Sequence, residues 1–192
     1  MKIIGGKLKG RNFYMPAEVR PTQNLICKAL FDILGQDLSG MQLLELFAGS
    51  GAVGFEAIPR GAKQVILVEG DPKNTTVIKK NIELLGLNDP ISAQTIELLE
   101  TDAFATIKLL SKAKKIFDIV FLDPPYGHQL AKKALNLLSA YVIVHPNSLV
   151  VIEHDKREVL PEEQGSLILN KQKIYGKTNL SFYKLTKFNS NI

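Results

Sequence analysis

The sequence of 192 residues is poor in cysteine and has no tryptophan. Its one cysteine, Cys27, cannot form an internal disulfide or build a cysteine metal cluster, which excludes a disulfide-stabilised fold and a cysteine zinc site. No apolar run approaches the roughly 18 residues that cross a membrane. The first residues, MKIIGGKLKGR, lack the long apolar core of a signal peptide. We therefore expect a soluble, cytoplasmic protein in which Cys27 is a packed helix residue.

Acidic residues are missing from both ends of the chain, although the net charge of the whole is only +5. No acid precedes Glu18, and none follows Glu163. Basic ends suit a polyanion, because each lysine that binds a phosphate releases a condensed counterion; a solvated surface is the alternative. The basic residues of the two ends are Lys2, Lys7, Lys9, Arg11, Lys171, Lys173, Lys177, Lys184 and Lys187.

The middle of the chain alternates short apolar runs with segments of helical periodicity, as in a parallel sheet covered by helices. The predicted strands are 43–46, 64–68, 95–99, 117–122 and 149–152, and the predicted helices are 24–34, 52–60, 73–85, 103–112 and 129–141. Thr22 is the predicted cap of the first helix. Segments 166–174 and 180–186 flank the turn YGKT and predict an antiparallel hairpin.

These elements predict a single α/β domain over 1–192, with a mainly parallel seven-stranded sheet that ends in a C-terminal hairpin. Residues 1–40 form a short basic N-terminal extension and the helix that packs on it. A parallel sheet that ends in a hairpin favours a methyltransferase over a dinucleotide-binding protein.

A glycine-rich loop, ELFAGSGAVG, follows the first predicted strand. Gly49, Gly51 and Gly54 have the GxGxxG spacing, which lets a backbone turn tightly and approach a ligand. A dinucleotide site would explain the spacing, because Glu69 lies about 20 residues further on, where a ribose-binding acid belongs. Glu45 argues against that site, since an acid beside the loop would repel a pyrophosphate.

Acidic residues also follow the ends of the predicted strands, and these ends surround the ligand site in open α/β sheets. A crevice of carboxylates in a basic protein favours a ligand that has positive charge and hydroxyl groups but no phosphate. S-adenosylmethionine fits this description, with its sulfonium, ammonium, ribose diol and adenine amine. Each acid alone could instead point into solvent or cap the following helix. The acids are Glu45, Glu69, Asp71, Asp102 and Asp123.

The motif DPPY, residues 123–126, ends the fourth predicted strand. Pro124 and Pro125 lack N–H donors and restrict φ, so the chain leaves the sheet in a stiff turn with exposed carbonyls. The Asp123 carboxylate and the Pro124 carbonyl would accept the N–H groups of an exocyclic amine. Tyr126 would stack on a base that has left its own stack. With the glycine loop, DPPY predicts an amino methyltransferase whose target is adenine N6, guanine N2 or a protein glutamine amide.

Motifs along nearly the whole chain resemble those of the bacterial small-subunit (16S) ribosomal RNA guanine-N2 methyltransferase family often called RsmD. The motifs are IIGGKLKGR, RPT, ALF, FAGSGAVG, RGA, DPPY and YGKTNLSFY. The resemblance implies a class I methyltransferase fold, which is Rossmann-like, and S-adenosylmethionine as methyl donor. It implies guanine 966 of the 16S rRNA as the target, modified during assembly of the 30S subunit.

The resemblance also assigns roles to single residues. Glu69 would accept the ribose hydroxyls, Asp102 the adenine amine, and Glu45 would face the methionine end. The other cofactor-binding residues are Phe47, Gly49, Gly51, Asp71 and Asp123, and the residues that would grip RNA phosphates are Lys7, Lys9, Arg11 and Arg20.

The sequence departs from the family pattern at two places. Leu25 and Cys27 stand where the family commonly carries arginines, which argues against a phosphate clamp on that helix. Pro59 is unusual at the end of its helix, and no function is assigned to it.

Two other functions stay open. An adenine-N6 methyltransferase shares DPPY and the glycine loop, but it usually needs a target-recognition domain, for which 192 residues leave little room. A non-catalytic RNA-binding protein is the other, and the intact DPPY motif argues against it. No metal is predicted, because methyl transfer from a sulfonium needs no Lewis acid and His128, His145 and His154 show no ligand spacing. A monomer is expected.

Overall fold

The computed structural model describes residues 1–15, 23–89, 95–127 and 129–186. Five residues named above, Glu18, Arg20, Thr22, His128 and Lys187, lie outside the described residues. The chain forms two compact units, Met1–Ala103 and Phe104–Ile192. The prediction of a single domain over 1–192 stays a prediction. None of the helices in the described ranges is long and apolar enough to cross a membrane.

The first unit contains three parallel strands in the order β3-β2-β1. These are β1 (Gln42–Leu46), β2 (Gln64–Glu69) and β3 (Ile96–Glu100). Its helices are α1 (Gln23–Leu34), α2 (Ala52–Ala57) and α3 (Pro72–Leu84). Strands β1 and β2 are nearly continuous buried runs of leucine, valine and isoleucine, as expected for parallel strands. Because the strands are parallel, their carboxyl ends lie at one edge of the sheet.

The predicted helix 52–60 is two elements in the structure. The α-helix α2 ends at Ala57 and a 3₁₀ turn, Ile58–Arg60, follows. Pro59 has no N–H to donate to the carbonyl four residues before it, so the helix cannot continue in α form through this position. Gly61, at φ +95°, then ends the turn in the left-handed region that glycine tolerates.

Residues 1–13 form an N-terminal hairpin. Lys2 and Asn12 pair as an antiparallel bridge, and the Ile3 amide donates to the Arg11 carbonyl at 2.9 Å. A short 3₁₀ turn, Gly6–Leu8, closes the hairpin, with Gly6 at φ +64°. The glycines of the motif IIGG therefore lie at a tight turn.

Two buried polar side chains anchor the N-terminal hairpin to α2 and α3. Glu56, on α2, accepts hydrogen bonds from the amides of Ile4 at 2.9 Å and Gly5 at 2.7 Å. Asn81, on α3, accepts from the Tyr14 amide at 2.7 Å and donates to its carbonyl at 3.0 Å. In these contacts the partner of each side chain is a backbone group. Because every residue has such groups, residue patterns alone did not predict the contacts.

The second unit contains parallel strands β4 and β5 followed by an antiparallel part, in the order β4-β5-β8-β7-β6. The strands are β4 (Phe117–Leu122), β5 (Val144–Asp155), β6 (Glu163–Gln164), β7 (Leu167–Tyr175) and β8 (Thr178–Leu185). The helices are α4 (Ala103–Lys112), which begins at the boundary of the units, and α5 (Leu130–Ala140). The predicted C-terminal hairpin is confirmed, and Gly176 has the positive φ, +62°, that its two-residue turn requires.

The strand predictions hold within a few residues, with one larger difference. Strand β5 begins at Val144 and ends at Asp155, whereas the sequence predicts only 149–152. The longer strand follows from pairing at both ends, because Val144 pairs with Phe117 of β4 and β8 matches β5 from Val150 to Asp155. The two-residue strand β6 adds to the seven strands predicted.

Candidate active site

The loop between β1 and α2 has an unusual backbone. Phe47, Gly49 and Gly51 have φ values of +59°, +59° and +76°. Such values cost a glycine little, but they strain a phenylalanine, so the surrounding structure must hold Phe47 in place. The Ala48 amide donates to the Val68 carbonyl at 3.0 Å and ties the loop to β2. The loop is thus pre-shaped where the sequence predicts cofactor contacts.

Glu45 binds the first turn of α2. Its carboxylate accepts from the amides of Val53 at 3.3 Å and Gly54 at 2.7 Å, and the residue is 3% exposed. A carboxylate is stabilised at a helix N-terminus, whose amides have no partner within the helix. A phosphate would need these same amides, so the contacts argue against the dinucleotide alternative. That Glu45 also faces the methionine end stays a prediction.

The glycines of the loop have different surroundings. A Cβ on Gly54 would lie 2.5 Å from Leu67 Cδ2 and 2.8 Å from Val65 Cγ1, so a side chain has no room between α2 and β2. A Cβ on Gly49 would meet no atom within 4 Å. Gly54 therefore permits close packing of the helix on the sheet, while Gly49 leaves open space that a ligand can approach.

Glu69, at the end of β2, joins the glycine loop to the turn that follows the strand. Its two carboxylate oxygens accept from the Gly49 amide at 2.7 Å and from the Asp71 amide at 2.8 Å. An ionised carboxylate offers about four acceptor positions, so about two remain for other donors. This capacity fits the predicted contact with ribose hydroxyls, which stays a prediction.

Asp71 and Asp102 lie at the same edge of the sheet as Glu69. Asp71 is exposed and caps α3 by accepting from the Lys73 amide at 2.8 Å. Asp102 is exposed just beyond the end of β3, the strand that pairs with β2. Within the first unit, the structure thus brings these three acids to one strand edge. The predicted contact of Asp102 with the adenine amine is untested.

In the second unit, DPPY begins directly after β4. The last residue of β4, Leu122, lies opposite Ile152 of β5, so Asp123 and Glu153 both follow this pair. Asp123 is partly exposed, Pro124 is buried and Pro125 is exposed. The turn therefore leaves the end of a buried strand, as the sequence predicts.

The hydroxyl of Tyr126 contacts two buried polar residues. It lies 2.8 Å from Thr178 Oγ1 and 3.5 Å from Glu153 Oε1. Thr178 is 3% exposed and Glu153 is 6% exposed, whereas Tyr126 itself is partly exposed. Sequence patterns predicted no role for Thr178 or Glu153. Two features of the sequence could have pointed to them: Glu153 is an acid within the apolar run LVVIEHD, and Thr178 is the threonine of the motif YGKT.

The residues predicted to grip RNA do not all have the same environment. Lys7 and Lys9 are exposed on the N-terminal hairpin. The Arg11 guanidinium donates to the Leu85 carbonyl at 3.2 Å, at the C-terminal end of α3, so Arg11 also has a structural contact. On α1, Leu25 is 53% exposed, whereas Cys27 is buried, which confirms Cys27 as a packed helix residue.

The chain is similar to several known proteins. The sequence profile of the family described as Conserved hypothetical protein 95 matches residues 1–184. The ribosomal RNA small subunit methyltransferase D of Haemophilus influenzae is 32% identical over 186 residues, which are 96% of this chain and 93% of that protein. Among solved structures, a hypothetical protein of Thermus thermophilus is 30% identical, with a TM-score of 0.81 over 96% of this chain and 99% of its own.

A more distant structure supports the fold alone. The ribosomal protein L11 methylase of Lactobacillus delbrueckii subsp. bulgaricus is 16% identical, with a TM-score of 0.67, and the match covers 88% of this chain and 80% of that one. The predicted methyltransferase fold is therefore confirmed. Since the family profile spans nearly the whole sequence, the chain belongs to the family described as Conserved hypothetical protein 95, the family of the ribosomal RNA small subunit methyltransferase D proteins.

Proposed function

We propose that this protein methylates the exocyclic N2 amine of one guanine in 16S rRNA, expected to be guanine 966, during assembly of the small ribosomal subunit. As a member of its family, the protein is an S-adenosylmethionine-dependent methyltransferase. The identity of the methylated base goes beyond family membership and is the subject of the proposal. The observation that carries the proposal is the DPPY turn at the end of β4, because its acceptors and aromatic ring suit a nucleobase amine.

The residues of the first unit fit the cofactor. The loop at Gly49 has open space, and Glu69 keeps acceptor capacity at the edge where Asp71 and Asp102 also lie. S-adenosylmethionine supplies a methyl group that its sulfonium makes electrophilic. The residues that we propose to hold it are Glu45, Phe47, Gly49, Gly51, Glu69, Asp71, Asp102 and Asp123.

The residues of DPPY act on the amine. A base amine is a poor nucleophile, because its lone pair is delocalised into the ring. The Asp123 carboxylate and the Pro124 carbonyl accept its N–H groups and favour the positive charge that grows on nitrogen during transfer. Pro125 stiffens the turn, and Tyr126 stacks on the base, so the nitrogen is held in line for attack. Asp123 or a water molecule takes the proton afterwards.

The exposed lysines supply RNA contacts. Lys7 and Lys9 on the N-terminal hairpin, together with Arg11 and Arg20, bind phosphates around the flipped base. Its partner is then 16S rRNA, within the 30S subunit or an assembly intermediate. The protein binds this RNA as a monomer in the cytoplasm.

The test is transfer of a labelled methyl group to 30S subunits that lack the modification, with naked 16S rRNA and duplex DNA in parallel. Nucleoside analysis then identifies the product. We expect N2-methylguanosine at one position of the subunit. N6-methyladenine, or label in DNA only, would overturn the guanine assignment and favour an adenine-N6 methyltransferase. Binding of RNA without transfer to any of these substrates would favour a non-catalytic protein.

A further inference from the structure

The contacts of Tyr126 connect the DPPY turn to the C-terminal hairpin. Thr178 is the first residue of β8, and Glu153 belongs to β5. In the antiparallel register Glu153 lies opposite Leu180, two residues from Thr178, so Glu153 and Thr178 share one face of the sheet. The Tyr126 hydroxyl lies against both side chains on this face.

The two contacts of the Tyr126 hydroxyl differ in length. The contact between the Tyr126 and Thr178 hydroxyls, at 2.8 Å, has the ordinary length of a hydrogen bond, and either hydroxyl can donate in it. The Tyr126 hydroxyl can also donate to Glu153 Oε1, but at 3.5 Å this contact is long and the weaker of the two. Each hydroxyl has a partner, which a buried polar group needs.

These bonds restrict the tyrosine ring. The side chain rotates about two torsions, and the outer one has broad minima. A hydrogen bond at the phenol oxygen, together with a backbone stiffened by two prolines, fixes the inner torsion, which sets where the ring lies. The oxygen lies on the axis of the outer torsion, and there the preference of the phenol O–H for the ring plane favours one orientation of the ring. An aromatic ring that stacks on a flipped base must be held in a defined plane if the amine is to be presented in line.

We propose that Thr178, with Glu153, is a positioning residue that fixes the Tyr126 ring for base stacking. The YGKT turn thereby contributes to methyl transfer through the threonine that follows its glycine and lysine. The inference rests on the proposed role of Tyr126 as the residue that stacks on the base.

Three variants test the inference by methyl-transfer kinetics. Thr178→Val keeps the shape of the side chain and removes the hydroxyl, Thr178→Ser keeps the hydroxyl, and Tyr126→Phe removes the phenol oxygen but keeps the ring. Loss of one neutral hydrogen bond should lower kcat about five- to tenfold in Thr178→Val and in Tyr126→Phe, with less change in KM. Thr178→Ser should stay within about twofold of the wild type.

The double variant Thr178→Val with Tyr126→Phe decides whether the two groups act together. Because both changes remove the same hydrogen bond, the double variant should be no slower than the slower single variant. A wild-type kcat in either single variant would overturn the inference. The inference would also be overturned if the fold-loss of kcat in the double variant equalled the product of the fold-losses in the two single variants.

A second readout needs no substrate. The protein has five tyrosines, so ring signals in tyrosine-labelled protein can be resolved by nuclear magnetic resonance, and Tyr126→Phe identifies the Tyr126 signal by its loss. Thr178→Val should shift this signal, because the phenol loses its 2.8 Å hydrogen-bond partner. An unchanged signal would overturn the inference.

The two proposals fail in different ways. Nucleoside analysis of the wild-type product decides which amine is methylated. The ratio of variant to wild-type kcat is measured with the substrate whose amine the wild type methylates. The ring signal of Tyr126 is measured without RNA. Methylation of adenine would therefore overturn the guanine assignment, while the ratios and the signal would still decide the role of Thr178.

Discussion

Three buried glutamates bind backbone amides in the first unit. Glu45 binds the start of α2, Glu56 binds the N-terminal hairpin, and Glu69 binds the glycine loop. A buried carboxylate is costly unless it is hydrogen-bonded or paired, and each of these accepts two or more bonds. Glu45 thereby holds α2 against β1, while the partners of Glu56 and Glu69 belong to loops, so these two carboxylates fix loop conformations before any ligand arrives.

Gly54→Ala should reverse the usual effect of this substitution. Alanine normally stabilises a helix by about 1 kcal/mol relative to glycine. Here the new Cβ would lie 2.5 Å from Leu67 Cδ2 and 3.0 Å from Glu45 Oε2, in a packed interior. We expect a loss of about 1–3 kcal/mol in the free energy of unfolding, measured by urea denaturation.

Gly70→Ala is the matched control for Gly54→Ala. A Cβ on Gly70 meets only the Thr101 carbonyl, at an ordinary contact distance of 3.6 Å for its oxygen. Its free energy of unfolding should therefore stay close to that of the wild type. If Gly54→Ala were as stable as Gly70→Ala, the packing role of Gly54 would be wrong.

Asp123→Ala should separate cofactor binding from catalysis. The carboxylate is proposed to accept from the target amine, so its loss should reduce methyl transfer about 10²–10³-fold. Affinity for S-adenosylmethionine, measured by calorimetry, should be nearly unchanged, because the seven other residues proposed to hold the cofactor remain in place. Asp32→Ala, at an exposed position on α1, removes an acid elsewhere and should keep full activity. Wild-type activity in Asp123→Ala would exclude the proposed role.

At the scale of elements, the N-terminal hairpin depends on its contacts with α2 and α3. Gly5 packs against the Arg60 guanidinium and Gly6 against the Pro59 carbonyl, so neither position has space for a side chain. The 3₁₀ turn that contains Pro59 is therefore part of the surface on which the hairpin rests. This gives Pro59 a structural role that the sequence alone did not suggest.

Replacing Lys7 and Lys9 together by alanine should weaken RNA binding and flatten its dependence on salt. Two fewer phosphate contacts should reduce the slope of log affinity against log salt by about 1.5–2 units. Both lysines are exposed, so the free energy of unfolding should not change. Arg11 is left in place, because its contact with the Leu85 carbonyl would mix stability with binding.

The control replaces two exposed lysines of α4, Lys108 and Lys112, by alanine. This variant removes the same charge from the other unit. If both double variants changed the salt slope equally, the N-terminal hairpin would have no specific part in RNA binding and its lysines would only add to the net charge.

At the scale of the whole molecule, one buried histidine should make stability depend on pH. His154 is 1% exposed, its Nε2 lies 2.8 Å from Ser181 Oγ, and burial lowers its pKa below the ordinary 6.5. Below pH 6.5 the unfolded chain takes up a proton that folded His154 does not. The stabilisation is therefore complete above pH 6.5 and decreases as the pH falls towards the lower, folded pKa.

His154→Gln tests this dependence, because glutamine can still hydrogen-bond Ser181 and does not titrate. Thermal unfolding at intervals between pH 8 and pH 5 should show a smaller loss of Tm in His154→Gln than in the wild type. Two parallel curves would mean that His154 does not contribute to the acid sensitivity of the protein.

The sequence by itself determined the order of elements, because apolar periodicity and glycine stops are local properties of the chain. It placed β4 at Phe117–Leu122 and α4 at Ala103–Lys112 within the observed bounds. It also picked out the glycine loop and DPPY, because both motifs need fixed residue types at fixed spacing.

Only the tertiary structure decided which groups contact each other across long stretches of chain. Thr178 is 52 residues from Tyr126, and Glu56 is 52 residues from Ile4. Nothing in either local segment specifies such a partner, since burial and strand register create the contact. Residue patterns determine what a segment can form, and packing determines which segments meet.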